Sequence, residues 1–110
     1  MACACKGQRI RKEADVDLFD RALAIRKDRS QRKGLRFKAF CVEQAFRVRV
    51  RLGWHSYPRT WYYFRFHGFY CGPGQNGDGH AKTPIDVLDC ACADHDLAYT
   101  KSSKNDRMNC

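Results

Sequence analysis

The chain has 110 residues, a formal net charge of +9 and seven cysteines. This length allows a single domain with a modest core, and no stretch is long and apolar enough to cross a bilayer. Residues 1–66 hold 17 Lys and Arg against 6 Asp and Glu, a net charge of +11, whereas residues 67–110 carry a net charge of −2. The first part therefore favours an anionic partner, either a phospholipid surface or nucleic acid.

Residues 1–53 are expected to form a basic N-terminal region, and the sequence does not decide how far it is ordered. Helical spacing predicts an amphipathic helix over residues 13–25, with Val16, Phe19, Ala22 and Leu23 on its apolar face. Residues 27–38 are rich in Lys and Arg and are predicted to form a loop. Residues 37–52 begin with helical spacing, but from Phe46 onwards apolar residues alternate with arginines, which is typical of a strand. The boundary between the two patterns stays open.

Residues 54–66 form an aromatic cluster that is interleaved with arginines. One interpretation places the cluster in the core, because aromatic side chains dominate the packing of small domains. The other places part of it at a lipid surface, where Trp and Tyr beside cations suit the headgroup level. The two interpretations can hold for different residues.

A glycine-rich loop over residues 70–76 precedes a predicted helix over residues 83–103. Gly72 and Gly74 permit backbone conformations that let carbonyl oxygens point towards one another. Thr83 is the expected N-cap of the helix, with Pro84 at its first position. These signals mark the start of the helix.

The helix carries an imidazole and a carboxylate side by side. His95 lies on the same stripe as the apolar residues, and Asp96 lies about 100° further round the helix. Hard cations such as Ca²⁺ prefer oxygen ligands, and main-chain carbonyls are often completed by a carboxylate. Loop and helix together therefore indicate a candidate calcium site beside a histidine, provided that the loop is fastened to the helix.

These residues resemble the secreted phospholipase A2 superfamily in two separate blocks. The loop of that family is matched by Tyr70-Cys71-Gly72-Pro73-Gly74, and its helix by Asp86-Val87-Leu88-Asp89 and Cys92-Ala93-Asp94-His95-Asp96-Leu97-Ala98-Tyr99. The Gly-Pro-Gly motif of the loop and the small number of cysteines resemble parvovirus-capsid and invertebrate-like members more than venom or pancreatic ones.

The resemblance implies a set of site residues. The carbonyls of Tyr70, Gly72 and Gly74 and the carboxylate of Asp96 would hold Ca²⁺. His95 would act as general base on a water that attacks the sn-2 ester, with the Gly72 amide helping to stabilise the oxyanion. Tyr99 and Asp89 match positions that support the site, and a Cys71–Cys92 disulfide would join the loop to the helix.

The implied fold is mainly α, a small disulfide-stapled domain over residues 54–110. Family members orient the histidine with a second aspartate from a later, antiparallel helix, and the sequence before Cys110 shows no such helix. The domain is therefore expected to be truncated before the second long catalytic helix.

Two functions remain open at this point. One is calcium-dependent hydrolysis of glycerophospholipids at a membrane surface, preferably an anionic one. The other is a lipid- or partner-binding module with weak or no hydrolysis, because a second aspartate is not found. A nucleic-acid function through the basic first half is weaker, since nothing there offers base-reading chemistry, and no specific nucleic acid is expected.

The resemblance implies secretion, although the first residues show no secretory leader. A virion-associated protein or an incomplete N-terminus are the alternatives. The oligomeric state stays open.

Overall fold

The computed structural model describes residues 2–53, 67, 68, 70 and 82–109, with side chains over residues 7–53, 67, 68, 70 and 82–102. The described residues form three helices: α1 (Ala2–Lys27), α2 (Lys33–Leu52) and α3 (Val87–Asn109). The predicted mainly α fold class is confirmed. Within these residues no helix has the length and apolar character that a membrane span requires. The aromatic cluster over residues 54–66 lies outside the described residues.

The helix α1 packs against both other helices and runs antiparallel to each. Its contacts with α3 are Arg11 to Ser102, Asp15 to Tyr99 and Arg21 to Asp94. Residue numbers therefore increase along α1 while those of the facing residues decrease along α3, as in any antiparallel pair. Its contacts with α2 follow the same order, from Asp15 beside Arg49 to Arg26 beside Glu43. The basic first half of the chain thus supplies two of the three packed helices.

The core forms where the three helices meet. Its buried members are Leu18, Ala22, Ile25, Leu35, Ala39, Val42, Tyr70, Leu88, Ala91, Cys92 and Ala93. On α1 the buried face follows residues 18, 22 and 25, whereas Val16 and Phe19 are only half-buried. The predicted apolar face of this helix was therefore wrong in its orientation, since the buried face is rotated about the helix axis by part of a turn. The alanines in the core leave little side chain between helices, which allows their backbones to approach closely.

A buried ionic cluster joins α1 to α2. Glu43 has no exposed side-chain surface, and it accepts hydrogen bonds from Arg26 and from Arg47, the latter at 3.0 Å. Burial alone would raise the pKa of Glu43, but the two guanidinium groups outweigh it and hold the pKa below its usual value. The carboxylate therefore stays charged inside the protein.

The helix α2 is continuous from Lys33 to Leu52, so the strand predicted from Phe46 onwards is wrong. The same residues also follow helical spacing, because Val42 and Phe46 lie on one side and pack towards the core. Gly53 ends the helix in the left-handed conformation at φ 65°, and its N–H donates to the carbonyls of Arg49 and Val50. The predicted basic loop is shorter than expected, since only residues 28–32 separate α1 from α2.

Candidate active site

The helix α3 begins at Val87, four residues later than the sequence predicted, and continues to Asn109. Thr83 and Pro84 precede it, outside any helix. The N-cap is Asp86, whose Oδ1 accepts the N–H of Asp89 at 2.9 Å. A carboxylate at this position satisfies an unpaired helical N–H and favours the positive end of the helix dipole, so it replaces Thr83 as the cap.

Asp89 connects the start of the glycine loop to α3. Its buried carboxylate accepts the N–H of Tyr70 at 2.9 Å and the N–H of Ile85 at 3.0 Å. Gly68 lies against this carboxylate with φ 61°, and a Cβ there would be 2.4 Å from Asp89 Cγ. Only glycine fits at that position. The backbone of Tyr70 is therefore held directly against the helix.

A buried histidine lies at the same end of α3, next to Asp86. His67 is buried, with its Nε2 2.6 Å from Asp86 Oδ2 and its Nδ1 3.2 Å from Lys38 Nζ. The ammonium group can only donate, so Nδ1 accepts and Nε2–H donates to the carboxylate. Nothing in the local sequence indicates this role, because α2 approaches His67 only in the folded chain. His67 joins α2 to the cap of α3.

The imidazole of His95 is paired with a carboxylate from α1. Its Nε2 lies 2.6 Å from Asp15 Oδ1, and the hydroxyl of Tyr99 donates to the same carboxylate at 2.8 and 2.9 Å. The ring of Phe46 meets the imidazole edge-on with centroids 5.0 Å apart, and the ring of Tyr99 lies 4.6 Å away. Three helices therefore fix the position of His95.

An arginine from α2 completes this network. Arg49 Nη2 donates to the Tyr99 hydroxyl at 2.8 Å, and its Nε lies 3.5 Å from Asp15 Oδ2. Asp15 has no exposed side-chain surface. A buried carboxylate is stable only when it is paired and hydrogen-bonded, and Arg49, Tyr99 and His95 supply both conditions.

The electrostatic environment favours a charged imidazole. Burial alone lowers the pKa of His95, but the hydrogen bonds and negative charges of Asp15 and Asp96 outweigh it and raise the pKa above its usual value. Burial and the charge of Asp15 raise the pKa of Tyr99. Tyr99 therefore stays protonated and continues to donate to Asp15.

The hydrogen bond to Asp15 also determines which nitrogen of His95 can accept a proton. A carboxylate can only accept, so Nε2 carries the hydrogen and Nδ1 of the neutral ring keeps its lone pair. Nδ1 is the nitrogen nearer to Asp96, with 4.0 Å between Nδ1 and Oδ1. The basic nitrogen and the candidate calcium ligand thus lie on the same side of the ring.

The predicted site residues divide into two groups. His95, Asp96 and Tyr99 lie in or beside the cluster around Asp15, whereas Asp89 lies at the start of α3, where it binds the backbone of Tyr70. Cys71, Gly72 and Gly74 lie outside the described residues. Cys92 is disulfide-bonded, whereas Cys41 and Cys90 are free. The Cys71–Cys92 pairing stays a prediction.

Two of the described residues, Asp96 and Tyr70, belong to the calcium site that the resemblance implies, and the arrangement of its donors stays a prediction. No three His, Cys, Asp or Glu side chains gather as metal ligands among the described residues. A site made of main-chain carbonyls needs only one carboxylate, and Asp96 is a partly exposed carboxylate next to the imidazole. Tyr70, the first residue of the predicted loop, is joined to the same helix through Asp89.

Asp15 is the residue of the candidate site that the sequence analysis missed. Its partner His95 is 80 residues away, so no local motif links them. A signal was nevertheless present, since Asp15 is in helical register with Leu18, Ala22 and Ile25, the buried face of α1. Aspartate is almost never fully buried unless it is paired, so an acid on an apolar stripe indicates a buried partner.

The site therefore has a histidine and an aspartate on two antiparallel helices, with a second carboxylate beside the basic nitrogen. A histidine oriented in this way has the geometry that general-base catalysis requires. Comparison with known proteins points in the same direction, over part of the chain. Basic phospholipase A2 nigexine from Naja pallida is 46% identical over 46 residues, which are 42% of this chain and 35% of the relative.

Two further relatives match to a similar extent. Basic phospholipase A2 DE-1 from Hemachatus haemachatus is 41% identical over 46 residues, 42% of this chain and 34% of the relative. Phospholipase A2 'basic' from Naja nigricollis is 44% identical over 46 residues, 42% of this chain and 35% of the relative. The chain thus spans about a third of the length of the curated relatives that it matches. No family profile and no solved structure matches it.

These relatives show that a segment of the chain is similar in sequence to phospholipases A2. They do not test the closer resemblance of the loop to parvovirus-capsid or invertebrate-like members, so that resemblance stays a prediction.

Proposed function

We propose that this chain is a calcium-dependent, phospholipase A2-like hydrolase that cleaves the sn-2 ester of glycerophospholipids. The observation that carries the proposal is the hydrogen bond between His95 Nε2 and Asp15 Oδ1, at 2.6 Å. It gives the imidazole the carboxylate partner that the sequence lacked after His95. The similarity of a segment to phospholipases A2 supports the same chemistry.

His95 acts as the general base in this proposal. Its Nδ1 removes a proton from a water molecule while the water oxygen attacks the ester carbonyl, and the imidazolium that forms is stabilised by the charge of Asp15. Collapse of the tetrahedral intermediate breaks the bond to the glycerol oxygen. Nδ1 returns its proton to that oxygen, which releases a fatty acid and a lysophospholipid.

Tyr99 and Arg49 keep Asp15 in place during these steps. The Tyr99 hydroxyl donates to Asp15 and Arg49 Nε lies 3.5 Å from its Oδ2, so the carboxylate cannot rotate away from the imidazole without breaking both contacts. Asp96 and the carbonyls of Tyr70, Gly72 and Gly74 would hold calcium, with the Gly72 amide beside the oxyanion. Calcium supplies a Lewis acid that polarises the ester carbonyl.

The non-hydrolysing alternative depended on the lack of a second aspartate. Asp15 removes that reason, so we favour hydrolysis at a phospholipid surface over a pure binding module. We further propose that the protein acts in an oxidising compartment such as the extracellular space, because Cys92 is disulfide-bonded.

Release of fatty acid from phospholipid micelles tests the proposed function, with calcium or with a chelator in excess. We expect release by the full chain in calcium only. His95→Gln should lower the rate by about 10²–10⁴-fold, which is the range for a general base, while its calcium affinity stays near that of the parent.

Asp96→Asn should lose calcium affinity and hydrolysis together. Asp94→Asn is its matched control, since Asp94 is an exposed neighbour that pairs with Arg21 on the surface. Undiminished hydrolysis by His95→Gln would rule out the proposed role of the histidine. Equal calcium affinity in the two aspartate variants would rule out the proposed ligand.

A further inference from the structure

The helices α2 and α3 contact each other at two places along their length. Arg49 of α2 donates to the hydroxyl of Tyr99 in α3, beside the candidate active site. About three helical turns earlier on α2, Lys38 faces Asp86, the cap of α3, across the ring of His67. We call Lys38, His67 and Asp86 the His67 bridge. It joins the beginnings of the two helices through a single imidazole.

The contacts of the His67 bridge require an uncharged ring. Lys38 Nζ lies 3.2 Å from His67 Nδ1, and an ammonium group has only donors, so Nδ1 must accept. The ring hydrogen is then on Nε2, which donates to Asp86 Oδ2 at 2.6 Å. The imidazole itself is buried. Both contacts are therefore satisfied only by the neutral form of the ring.

A second proton on the ring would break one side of the bridge. It would place an N–H on Nδ1, facing the donors of the ammonium group, and two positive charges would lie 3.2 Å apart. The contact with Asp86 would become a charge-assisted hydrogen bond, which is stronger than the neutral one. Lys38 is only half-buried and has a flexible four-carbon stem, so it can turn into water. Protonation therefore separates Lys38 from His67 and leaves His67 on Asp86.

The other charged groups at this end of α3 do not face the ring nitrogen. Arg32, the N-cap of α2, has a largely exposed side chain that lies 3.9 Å from Asp86 Oδ2. It adds a second cation near the same carboxylate. The carboxylate of Asp89 accepts two main-chain N–H groups. Among the described residues, Lys38 is thus the charged group that contacts Nδ1.

We propose that the His67 bridge is a pH-sensitive switch, which fastens α2 to the cap of α3 while His67 is neutral and releases Lys38 when acid protonates the ring. This inference goes beyond the proposed function and does not depend on it. Its tests need neither lipid nor calcium. Histidine is the side chain that ordinarily changes charge between pH 5 and 8, so pH 8 and pH 5 are the conditions to compare.

Urea unfolding of the full chain at these two pH values measures the contribution of Lys38. Lys38→Met keeps the apolar stem and removes the ammonium group. Lys33→Met is its matched control, because Lys33 is an exposed lysine of the same helix. At pH 8, Lys38→Met should raise the unfolding equilibrium constant about three- to tenfold above that of the control, which is the range for one hydrogen bond. At pH 5 the two variants should unfold alike, because the ammonium group has already left the ring.

The substitution His67→Gln assigns the pH dependence to this histidine. A glutamine amide can still donate to Asp86, but it does not titrate. In the His67→Gln background, Lys38→Met should therefore have the same effect at pH 8 and at pH 5. The inference is overturned if Lys38→Met costs as much at pH 5 as at pH 8 in the parent. It is also overturned if the pH dependence persists without His67.

Nuclear magnetic resonance tests the switch in the parent protein, without any substitution. The two Cε protons of Lys38 should give separate signals at pH 8, where the ammonium group is held on the ring, and one averaged signal at pH 5. Identical Lys38 signals at the two pH values would contradict the release of this side chain. Failure to hydrolyse phospholipid would count against the proposed function and leave this result unaffected.

Discussion

Replacing Asp15 by Asn tests the central contact of the candidate site. The side chain is fully buried, its Oδ1 accepts from His95 and its carboxylate accepts from Tyr99. Asparagine has nearly the same shape, so the substitution removes the charge and one acceptor oxygen without opening a cavity. The imidazole would lose both the charge that stabilises its protonated form and the acceptor that fixes its tautomer.

The size of the expected effect follows from these two losses. General-base catalysis contributes about 10²–10⁴-fold, and most of it depends on the correct tautomer, so kcat should fall by about 10²–10³-fold. KM should change little, because Asp15 is buried behind the imidazole. The amide group would also face a donor, either the Tyr99 hydroxyl or the Arg49 guanidinium. Losing one charge-assisted hydrogen bond lowers the free energy of unfolding by about 1.5–3 kcal/mol.

Asp17→Asn provides the matched control for this experiment. Asp17 is two residues along the same helix, and its carboxylate makes an exposed pair with Arg21 at 3.7 Å. Such a surface pair contributes at most about 1 kcal/mol. Kinetics with a monomeric phospholipid, together with urea unfolding of both variants, measure the two effects separately. A folded Asp15→Asn protein that hydrolyses as fast as Asp17→Asn would refute the catalytic role of the pair.

Two further predictions concern stability. The two arginines that flank Glu43 hold its folded pKa below the usual 4.5, so the charged pair stabilises the fold at neutral pH and this stability is lost as the pH falls below about 4.5. The free energy of unfolding of Glu43→Gln should therefore be lower than that of the parent at pH 7, by about 1–3 kcal/mol. The difference between the two proteins should shrink in acid. An unchanged difference at pH 3 would contradict this. Gly68→Ala should lower the free energy of unfolding by about 2–5 kcal/mol, from positive φ and the contact with Asp89. Gly34→Ala, in open space on α2, should be neutral or stabilising by about 1 kcal/mol, and equal effects at the two glycines would be inconsistent with this contact.

The sequence predicted the parts of the molecule that depend on neighbouring residues. The 3.6-residue repeat placed His95, Asp96 and Tyr99 on one helix, and the described structure has all three there. The start of that helix was harder to predict, because Thr83 and Asp86 are both suitable caps. The carboxylate is preferred here since it also accepts from His67, a contact that the local sequence does not show.

The sequence did not predict contacts between helices that are far apart in the chain. Alternation of apolar residues and arginines after Phe46 indicated a strand, yet the same residues are helical because Phe46 packs beside His95. Arg49 is one of the arginines in that alternation. Its contacts with Asp15 and Tyr99 exist only once α2 lies across both other helices. Tertiary packing therefore overrode local propensity at the positions closest to the site.

The position of Asp15 shows why chain order was a poor guide to this site. The family that the motifs resemble takes its second aspartate from a helix that follows the histidine, whereas Asp15 comes from α1, which precedes it by 80 residues. Two antiparallel helices present the same facing side chains whichever of them comes first, because the contact depends on their packed faces and not on the connection between them. A search for the partner of a buried histidine should therefore consider every helix with an acid on its apolar face. Since the pair forms only when α1 and α3 are packed, hydrolysis by this protein should be lost in the same transition in which the helices separate.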